Sequence, residues 1–144
     1  MKAGEPLQEI PYHPSGTTNM MKSGTNVKQR DIILIPFPFS DLSTSKRRPA
    51  IIISNSSYNT HNDDVICCAI TSNPRNYAGC VPITNADLDE GQLNYESQIK
   101  PTKVFTLNKN LIIKPLARLN IKKSKEVIRN LNSSINIEDT ALEK

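Results

Sequence analysis

The sequence predicts a small, mainly β domain with one α-helix near its end. From Asp31 onwards, short apolar runs rich in β-branched residues alternate with turn residues, which is typical of strands in a twisted barrel or a partly open sheet. Further along, Val127, Leu131 and Ile135 recur at the spacing of one helix face. The chain of 144 residues is long enough for one hydrophobic core. We therefore expect a single β-rich domain on which an amphipathic helix packs.

Apolar runs between turn residues mark the expected strands. The three longest runs cover residues 32–35, 50–53 and 65–70. Shorter candidates cover residues 81–84, 97–99, 104–107 and 112–116. Pro101 predicts an edge or bend between two of these candidates, because proline cannot donate a ladder hydrogen bond. The polar stretch 54–62 predicts a loop.

The two ends of the chain differ from its centre in composition and in apolar pattern. Residues 1–27 contain prolines and glycines among polar residues and show no apolar period of a strand or a helix. We expect a flexible N-terminal tail over residues 1–27, a folded domain over 28–136 and a C-terminal tail over 137–144. The sequence shows neither an apolar run near the ~20 residues that span a bilayer nor a hydrophobic signal segment after Met1. The sequence thus predicts a cytoplasmic protein without membrane contact.

Basic charge is concentrated in two places, although the net charge is only +4. Residues 28–60 carry +3 and residues 97–144 carry +6, whereas residues 61–96 carry −5. Lys46, Arg47 and Arg48 form the first cluster. Such clusters suit a polyanion such as nucleic acid, and a solvated surface is the alternative explanation.

The cysteines and histidines argue against disulfides and metal sites. Cys67, Cys68 and Cys80 are odd in number and include an adjacent pair, which fits neither a disulfide framework nor the spaced pairs of a zinc site. His13 and His61 lie far apart in sequence. We predict free thiols in a reducing cytosol, no metal site and no cofactor.

Two segments carry residue types that suit phosphate binding. Arg48 precedes Pro49 at the mouth of a predicted strand, and its planar guanidinium group matches phosphate oxygens. Thr71, Ser72 and Asn73 end the next predicted strand and offer hydroxyls, an amide and backbone donors. A surface arginine and an ordinary turn are the alternatives. Because aromatic residues are only 5%, we expect charge and hydroxyls, not base stacking, to bind any nucleic acid.

With these segments in view, the sequence resembles the PemK/MazF family of toxins over about residues 30–135. The resemblance rests on four segments in order: RDIILIPFPFSDL, SKRRPAIIISN, DVICCAITSN and ESQIKPTKVFTLNKNLIIKPLARL. It implies a small SH3-like β-barrel of the PemK/CcdB type with a C-terminal helix, usually a homodimer. The implied activity is metal-independent endoribonuclease cleavage within a toxin–antitoxin system. Single-stranded RNA and a cognate antitoxin are therefore the implied partners.

The resemblance also assigns roles to residues. It implies that Arg48 and Thr71 are the catalytic pair, which supports attack of the ribose 2′-hydroxyl on the adjacent phosphate. Residues expected to bind RNA are Lys46, Arg47, Ser54, Asn55, Ser72, Asn73 and Lys103. The loop 40–46 is expected to cover the RNA groove. Two positions depart from the family pattern, because Arg30 and Ala117 stand where the family typically has glycine.

Two other functions stay open at this point. A related toxin with the same barrel poisons DNA gyrase through its terminal helix without cutting RNA, and an inactive barrel retained for binding is the third reading. The pair Arg48 and Thr71 favours the ribonuclease, because an inhibitor that acts through its helix has no evident use for it.

Overall fold

The computed structural model describes residues 26–36, 46–75 and 77–139. Seven strands make up one sheet: β1 (Asp31–Pro36), β2 (Arg47–Ile52), β3 (Asp64–Thr71), β4 (Val81–Ile83), β5 (Leu88–Gly91), β6 (Ser97–Asn108) and β7 (Lys114–Leu119). The α-helices are α1 (Ser56–His61) and α2 (Ile121–Ile135). Short 3₁₀ turns cover Asn85–Asp87 and Lys109–Leu111. Within these described ranges, none of the helices combines the length and apolar character needed to cross a membrane.

The sheet is antiparallel and strongly curled. Its strand order is β4-β6-β3-β2-β1-β7-β5. In a flat sheet β4 and β7 would lie about 24 Å apart, at about 4.8 Å per strand. Val81 of β4 and Leu119 of β7 nevertheless belong to one buried cluster, so the sheet wraps around it. Because β4 and β5 form opposite ends of the sheet, the predicted partly open sheet is confirmed.

Each side of the sheet carries an apolar cluster, because side chains alternate along a strand. The helix-side cluster consists of Ile32, Ile51, Cys68, Ile70, Val81, Ile83, Ile99, Ala117, Leu119 and Val127. The opposite cluster consists of Val27, Ile33, Ile35, Ala50, Ile52, Val65, Cys67, Leu107 and Ile112. The short apolar runs of the sequence are therefore buried on both faces of their strands.

Helix α2 packs on the helix-side cluster with part of its predicted apolar stripe. The Asn120 side chain caps the helix, since its Oδ1 accepts the Lys123 N–H at 2.8 Å. Val127 is buried at 1% exposure, Leu131 is half-buried, and Ile135 is 62% exposed. The predicted helix is confirmed, and its contacts with the sheet weaken towards its C-terminal end.

One long strand replaces two that were predicted separately. Residues 97–99 and 104–107 both belong to β6, which continues through Pro101. Along β3, Ala69 pairs with Lys100 and the neighbouring Cys68 pairs with Val104. The three residues between Lys100 and Val104 therefore bulge out of the ladder. A proline is tolerated there because a bulged residue does not have to donate a ladder hydrogen bond.

Other elements also differ from the sequence expectations. The polar stretch 54–62 contains α1 instead of a loop alone, because Asn55 Oδ1 accepts the Tyr58 N–H at 3.1 Å and starts the helix. Strand β5 was missed, because its sequence LDEG lacks apolar alternation and it forms only by pairing with β7. The candidate strand 112–116 begins later, at Lys114, after a 3₁₀ turn.

Arg30 adopts a backbone conformation that favours glycine. Its φ is 82°, and a residue with a Cβ loses roughly 1–2 kcal/mol in this region. The Arg30 N–H donates to Ile52 O at 2.9 Å. Its guanidinium Nη1 donates to Leu119 O at 2.7 Å and to Asp89 Oδ2 at 3.1 Å. These bonds hold the strained residue where the family resemblance expects a glycine.

The folded domain begins before residue 28. Val27, assigned to the tail from the sequence, is only 7% exposed and packs in the opposite cluster. The rest of the expected N-terminal tail, up to residue 25, lies outside the described residues, as do residues 140–144 of the expected C-terminal tail. Ile137, in the described part of that C-terminal segment, is 86% exposed.

Candidate active site

Arg48 and Thr71 lie on adjacent strands, just beyond the last pair of the β2–β3 ladder. Ala50 of β2 pairs with Ala69 of β3 in an antiparallel register. Arg48 and Thr71 each follow this pair by two residues towards the same end of the sheet. Both side chains lie on the sheet face of the opposite cluster, since Ala50 belongs to that cluster. Arg48 is exposed and Thr71 is half-buried, so this position is open to a ligand.

Strand geometry separates Arg48 from the other basic residues of its segment. Arg47 is the first residue of β2, and alternation places its side chain on the face opposite to that of Arg48. Lys46 precedes the strand, and both Lys46 and Arg47 are exposed. The loop 40–46, expected to cover an RNA groove, lies outside the described residues except for Lys46.

The chain forms a hydrogen-bonded turn where β3 ends. Thr71 Oγ1 accepts the Asn73 N–H at 3.1 Å, and Asn73 Oδ1 accepts the Arg75 N–H at 3.0 Å. Gln98 Nε2 donates to Asn73 O at 3.3 Å and to Arg75 O at 2.6 Å. Ser72 and Asn73 are exposed. The turn therefore holds Thr71, Ser72 and Asn73 at one open end of the sheet.

Residues from β6 complete this surface. Sequence reasoning missed Gln98, whereas Lys100 begins the basic run of the segment 97–144. Gln98 pairs with Thr71, and Lys100 pairs with Ala69, which places both on the Arg48 face. They follow Thr71 by more than twenty residues, so local composition gives no hint of their proximity. Their alternation with buried Ile99 is the one signal that identifies them as neighbours on an open strand face.

Ser54 and Asn55, which were expected to bind RNA, lie away from Arg48. Ser54 is buried, and its hydroxyl donates to Asn59 Oδ1 at 2.5 Å and accepts the Ile66 N–H at 2.9 Å. Asn55 caps α1. Both follow the far end of β2, roughly 20 Å from Arg48 at about 3.3 Å per residue. They stabilise the chain after β2 and stand apart from the candidate site.

Lys103 lies in the bulge of β6. It falls between Lys100, which pairs with Ala69, and Val104, which pairs with Cys68, and it is exposed. The structure thus places it near the β3–β6 pair without a ladder partner of its own.

The thiols are poor nucleophiles. Burial raises the pKa of Cys67 to about 12, with a smaller contribution from Cys68, and burial likewise raises the pKa of Cys68 to about 12. Burial also raises the pKa of Cys80, while the positive charge of Lys100 opposes that shift. These thiols are therefore protonated at neutral pH. The part of the chain that the structure describes contains no cluster of three or more His, Cys, Asp or Glu suited to a metal ion.

A comparison with known families identifies the chain. The sequence profile of the PemK-like, MazF-like toxins of type II toxin–antitoxin systems matches residues 28–135, about three quarters of the chain. The chain belongs to the PemK/MazF family. The segment of this PemK/MazF-family toxin that matches includes both Arg48 and Thr71. A comparison with curated protein sequences finds no match.

Solved MazF structures share the fold of this toxin. MazF (Form-I) from Deinococcus radiodurans superposes with a TM-score of 0.62 at 19% identity, covering 77% of this chain and 97% of that chain. The Mycobacterium tuberculosis toxin MazF-mt6 gives a TM-score of 0.60 at 19% identity, covering 76% and 99%. An endoribonuclease in complex with its cognate antitoxin from Mycobacterial species gives 0.59 at 16% identity, covering 78% and 95%. The predicted mainly β fold with a C-terminal helix is confirmed.

Proposed function

We propose that this PemK/MazF-family toxin is a sequence-selective endoribonuclease that cleaves single-stranded RNA, including mRNA. The observation that supports the proposal is the register of β2 and β3, because Arg48 and Thr71 each lie two residues beyond the Ala50–Ala69 pair and share one face of the sheet. A fixed cation beside a hydroxyl and a hydrogen-bonded turn suits a phosphodiester, whose charge is spread over its oxygens.

The proposed reaction is an internal transesterification. The ribose 2′-oxygen attacks the neighbouring phosphorus, a 2′-O–P bond forms and the P–O5′ bond breaks. The 2′-hydroxyl gives up its proton to solvent, and the departing 5′-oxygen gains one. The products are a 2′,3′-cyclic phosphate and a 5′-hydroxyl.

The two catalytic side chains have separate roles in this scheme. The Arg48 guanidinium group donates hydrogen bonds to the phosphoryl oxygens, where negative charge builds up in the transition state. Thr71 Oγ1 already accepts the Asn73 N–H at 3.1 Å, so its own O–H is left to donate to a phosphoryl oxygen. Exposed Ser72 and Asn73 lie on the adjacent turn, where they contact the flanking sugar and phosphate.

The proposal includes partners as well as a substrate. An acidic, largely disordered antitoxin binds across the basic surface that contains Lys46 and Arg48, and neutralises the toxin by competing with RNA. The positive charge over residues 28–60 and 97–144 supports this partner chemistry. The toxin acts in the cytoplasm as a homodimer, in keeping with its family membership.

The test uses the full-length chain and a long single-stranded RNA in excess EDTA, with the new ends mapped at each cleavage position. We expect cleavage to persist and to leave 2′,3′-cyclic phosphate and 5′-hydroxyl ends. The control RNA carries a 2′-deoxyribose at a mapped position, and it stays intact there because the nucleophile is missing.

Three results would contradict the proposal in different ways. Ends with a 5′-phosphate would exclude attack by the 2′-hydroxyl. Cleavage at the deoxyribose would do the same. If RNA stayed intact and the protein inhibited DNA gyrase, the ribonuclease hypothesis would be wrong and the gyrase-inhibitor hypothesis would take its place.

A further inference from the structure

A tyrosine lies beside the candidate catalytic pair. Tyr77, in the connection between β3 and β4, is half-buried. Its hydroxyl accepts a hydrogen bond from Asn73 Nδ2 at 3.2 Å, and the Asn73 N–H donates to Thr71 Oγ1 at 3.1 Å. The Tyr77 ring is thus joined to the Thr71 hydroxyl through a single residue, on a chain in which aromatic residues are only 5%.

Two cations lie against the ring of Tyr77. The Lys100 Nζ atom is 4.2 Å from the ring centroid, and the Arg75 Cζ atom is 5.3 Å from it. Both distances are in the range of a cation–π contact. Within the described residues, the salt bridges involve Arg30, Arg118 and Lys123, so Arg75 and Lys100 have no carboxylate partner there. Their charges are therefore available to a phosphate.

Hydrogen bonds hold the backbone that carries this ring in place before any ligand binds. Gln98 Nε2 ties the backbone of Asn73 and Arg75 to β6, with distances of 3.3 and 2.6 Å to their carbonyl oxygens. The Cys80 N–H donates to Tyr77 O at 3.2 Å. A site built in this way binds its ligand with a small loss of conformational entropy.

We propose that Tyr77 is the stacking platform for the nucleobase next to the scissile phosphate, and that Lys100 and Arg75 bind the phosphate of that nucleotide. This inference rests on the proposed function, because it places the base relative to Arg48 and Thr71, and it departs from the sequence expectation that base stacking contributes nothing. The base displaces the Lys100 ammonium group from the ring face, and the ammonium group moves to the phosphate.

The platform explains a preference for single strands. A base inside a duplex is already stacked on both faces, so it cannot reach an aromatic side chain without unpairing. A base in a single strand stacks on tyrosine at much smaller cost, and each such contact strengthens binding substantially. Tyr77 therefore selects for unpaired RNA at the nucleotide where cleavage occurs.

Binding measurements test the platform without using catalysis. The probe is a 2′-O-methyl RNA oligonucleotide of the mapped cleavage sequence, which lacks the nucleophilic hydroxyl. We expect Tyr77→Phe to bind within about two-fold of wild type, since the ring remains, and Tyr77→Leu to bind roughly ten-fold more weakly or worse. Tyr58→Leu, which removes a half-buried tyrosine from α1, is the matched control and keeps wild-type affinity.

The cations and the strand preference give independent readouts. Lys100→Gln lowers the slope of log Kd against log salt by about 0.7, the value for one phosphate contact on a single strand. Tyr77→Leu also loses most of the preference for the single strand over the same sequence in a duplex. Thermal unfolding of each variant within a few degrees of wild type shows that the fold is kept.

Opposite results separate failure of the platform from failure of the proposed function. Wild-type affinity and strand preference in Tyr77→Leu would overturn the platform, whether or not RNA is cleaved. Equal losses in Tyr77→Phe and Tyr77→Leu would also overturn it, because the ring would then be irrelevant. If wild-type protein left RNA intact while Tyr77 still governed probe binding, the cleavage proposal would fail and the base contact would stand.

Discussion

Arg47 and Arg48 show how strand geometry distinguishes two identical neighbouring side chains. Both are exposed at the start of β2, yet alternation directs only Arg48 to the face that carries Thr71. A guanidinium group offers a planar pair of donors that matches two phosphoryl oxygens, whereas an ammonium group acts as a point charge. The proposed chemistry therefore depends on the shape of the group at residue 48 as well as on its charge.

Exchanging each arginine for lysine tests this dependence. We expect Arg48→Lys to reduce the initial rate of RNA cleavage by about 100-fold, the usual cost of losing one aligned donor in a transition state. Arg47→Lys keeps its charge on the other face and should stay within a few-fold of wild type. Equal rates in wild type and Arg48→Lys would remove Arg48 from catalysis.

The buried thiols make the free energy of unfolding fall as the pH rises in the alkaline range. Cys67 has a pKa of about 12 in the fold because of burial and the adjacent Cys68, against 9.0 when exposed. Below pH 9 both states keep the proton, whereas above it only the unfolded state releases it, so stability falls as the pH rises towards the folded pKa. One such thiol lowers the free energy of unfolding by roughly 1 kcal/mol between pH 8 and pH 10.

Replacing Cys67 by alanine isolates this effect. The free energy of unfolding in urea, measured with a reductant at pH 8 and pH 10, should fall by roughly 1 kcal/mol less in Cys67→Ala than in wild type. The variant is less stable than wild type at pH 8 because it leaves a small cavity. The same pH dependence in both proteins would show that Cys67 ionises in the folded state as it does in the unfolded chain.

At the scale of elements, β5 packs on β7 only because residue 91 lacks a side chain. Gly91 has a φ of 74°, and a Cβ there would lie 2.3 Å from Leu116 O, 2.7 Å from Ala117 Cα and 3.1 Å from Ala117 Cβ. Ala117 stands where the family resemblance expects glycine, so its methyl group fits against the bare backbone of Gly91. The methyl group of Ala117 in β7 therefore lies in the space that a side chain at residue 91 of β5 would need.

Two glycine substitutions separate this close approach from backbone strain. Gly79 has a φ of 79° and nothing within 4 Å of its absent Cβ. Gly79→Ala should lose only about 1–2 kcal/mol of unfolding free energy from its left-handed conformation. Gly91→Ala has the same strain and a clash with backbone atoms, so a loss of roughly 3 kcal/mol or more is expected. Equal losses in urea unfolding would mean that β5 moves away freely.

The distribution of charge concerns the molecule as a whole. Positive charge over residues 28–60 and 97–144 suits a polyanion, which the proposed function identifies as RNA or an acidic antitoxin segment. If both bind the same surface, Lys46→Glu combined with Arg47→Glu weakens both complexes, and added salt weakens both as well. Competition between labelled RNA and the antitoxin is the measurement. Simultaneous, independent binding would rule out a shared surface.

The boundary of the folded unit is also a property of the whole chain. Residues 1–20 have no periodic apolar face, so their deletion should leave the Tm almost unchanged. Val27 is 7% exposed in the opposite cluster, and Val27→Ala should lower the Tm by roughly 8 °C, as expected for about 2 kcal/mol. A drop of several degrees on deleting residues 1–20 would show that they pack on the sheet.

The sequence by itself determined the local elements and the residue types of the site. Apolar runs between turn residues predicted β1, β2 and β3, and four-residue spacing predicted α2, because these signals depend only on neighbours along the chain. The same applies to Arg48 beside Pro49 and to the polar end of β3. The segments that carry the family resemblance are likewise continuous in sequence.

Only the tertiary structure decided which of these residues meet. Register between strands brought Gln98 and Lys100 to Thr71 and left Ser54 and Asn55 at the far end of β2. The bulge that carries β6 past Pro101 and the pairing that creates β5 depend in the same way on a partner strand. Pairing energy is gained between residues far apart in sequence, so no local pattern contains it, and the surroundings of Thr71 form only when β3 pairs with β6.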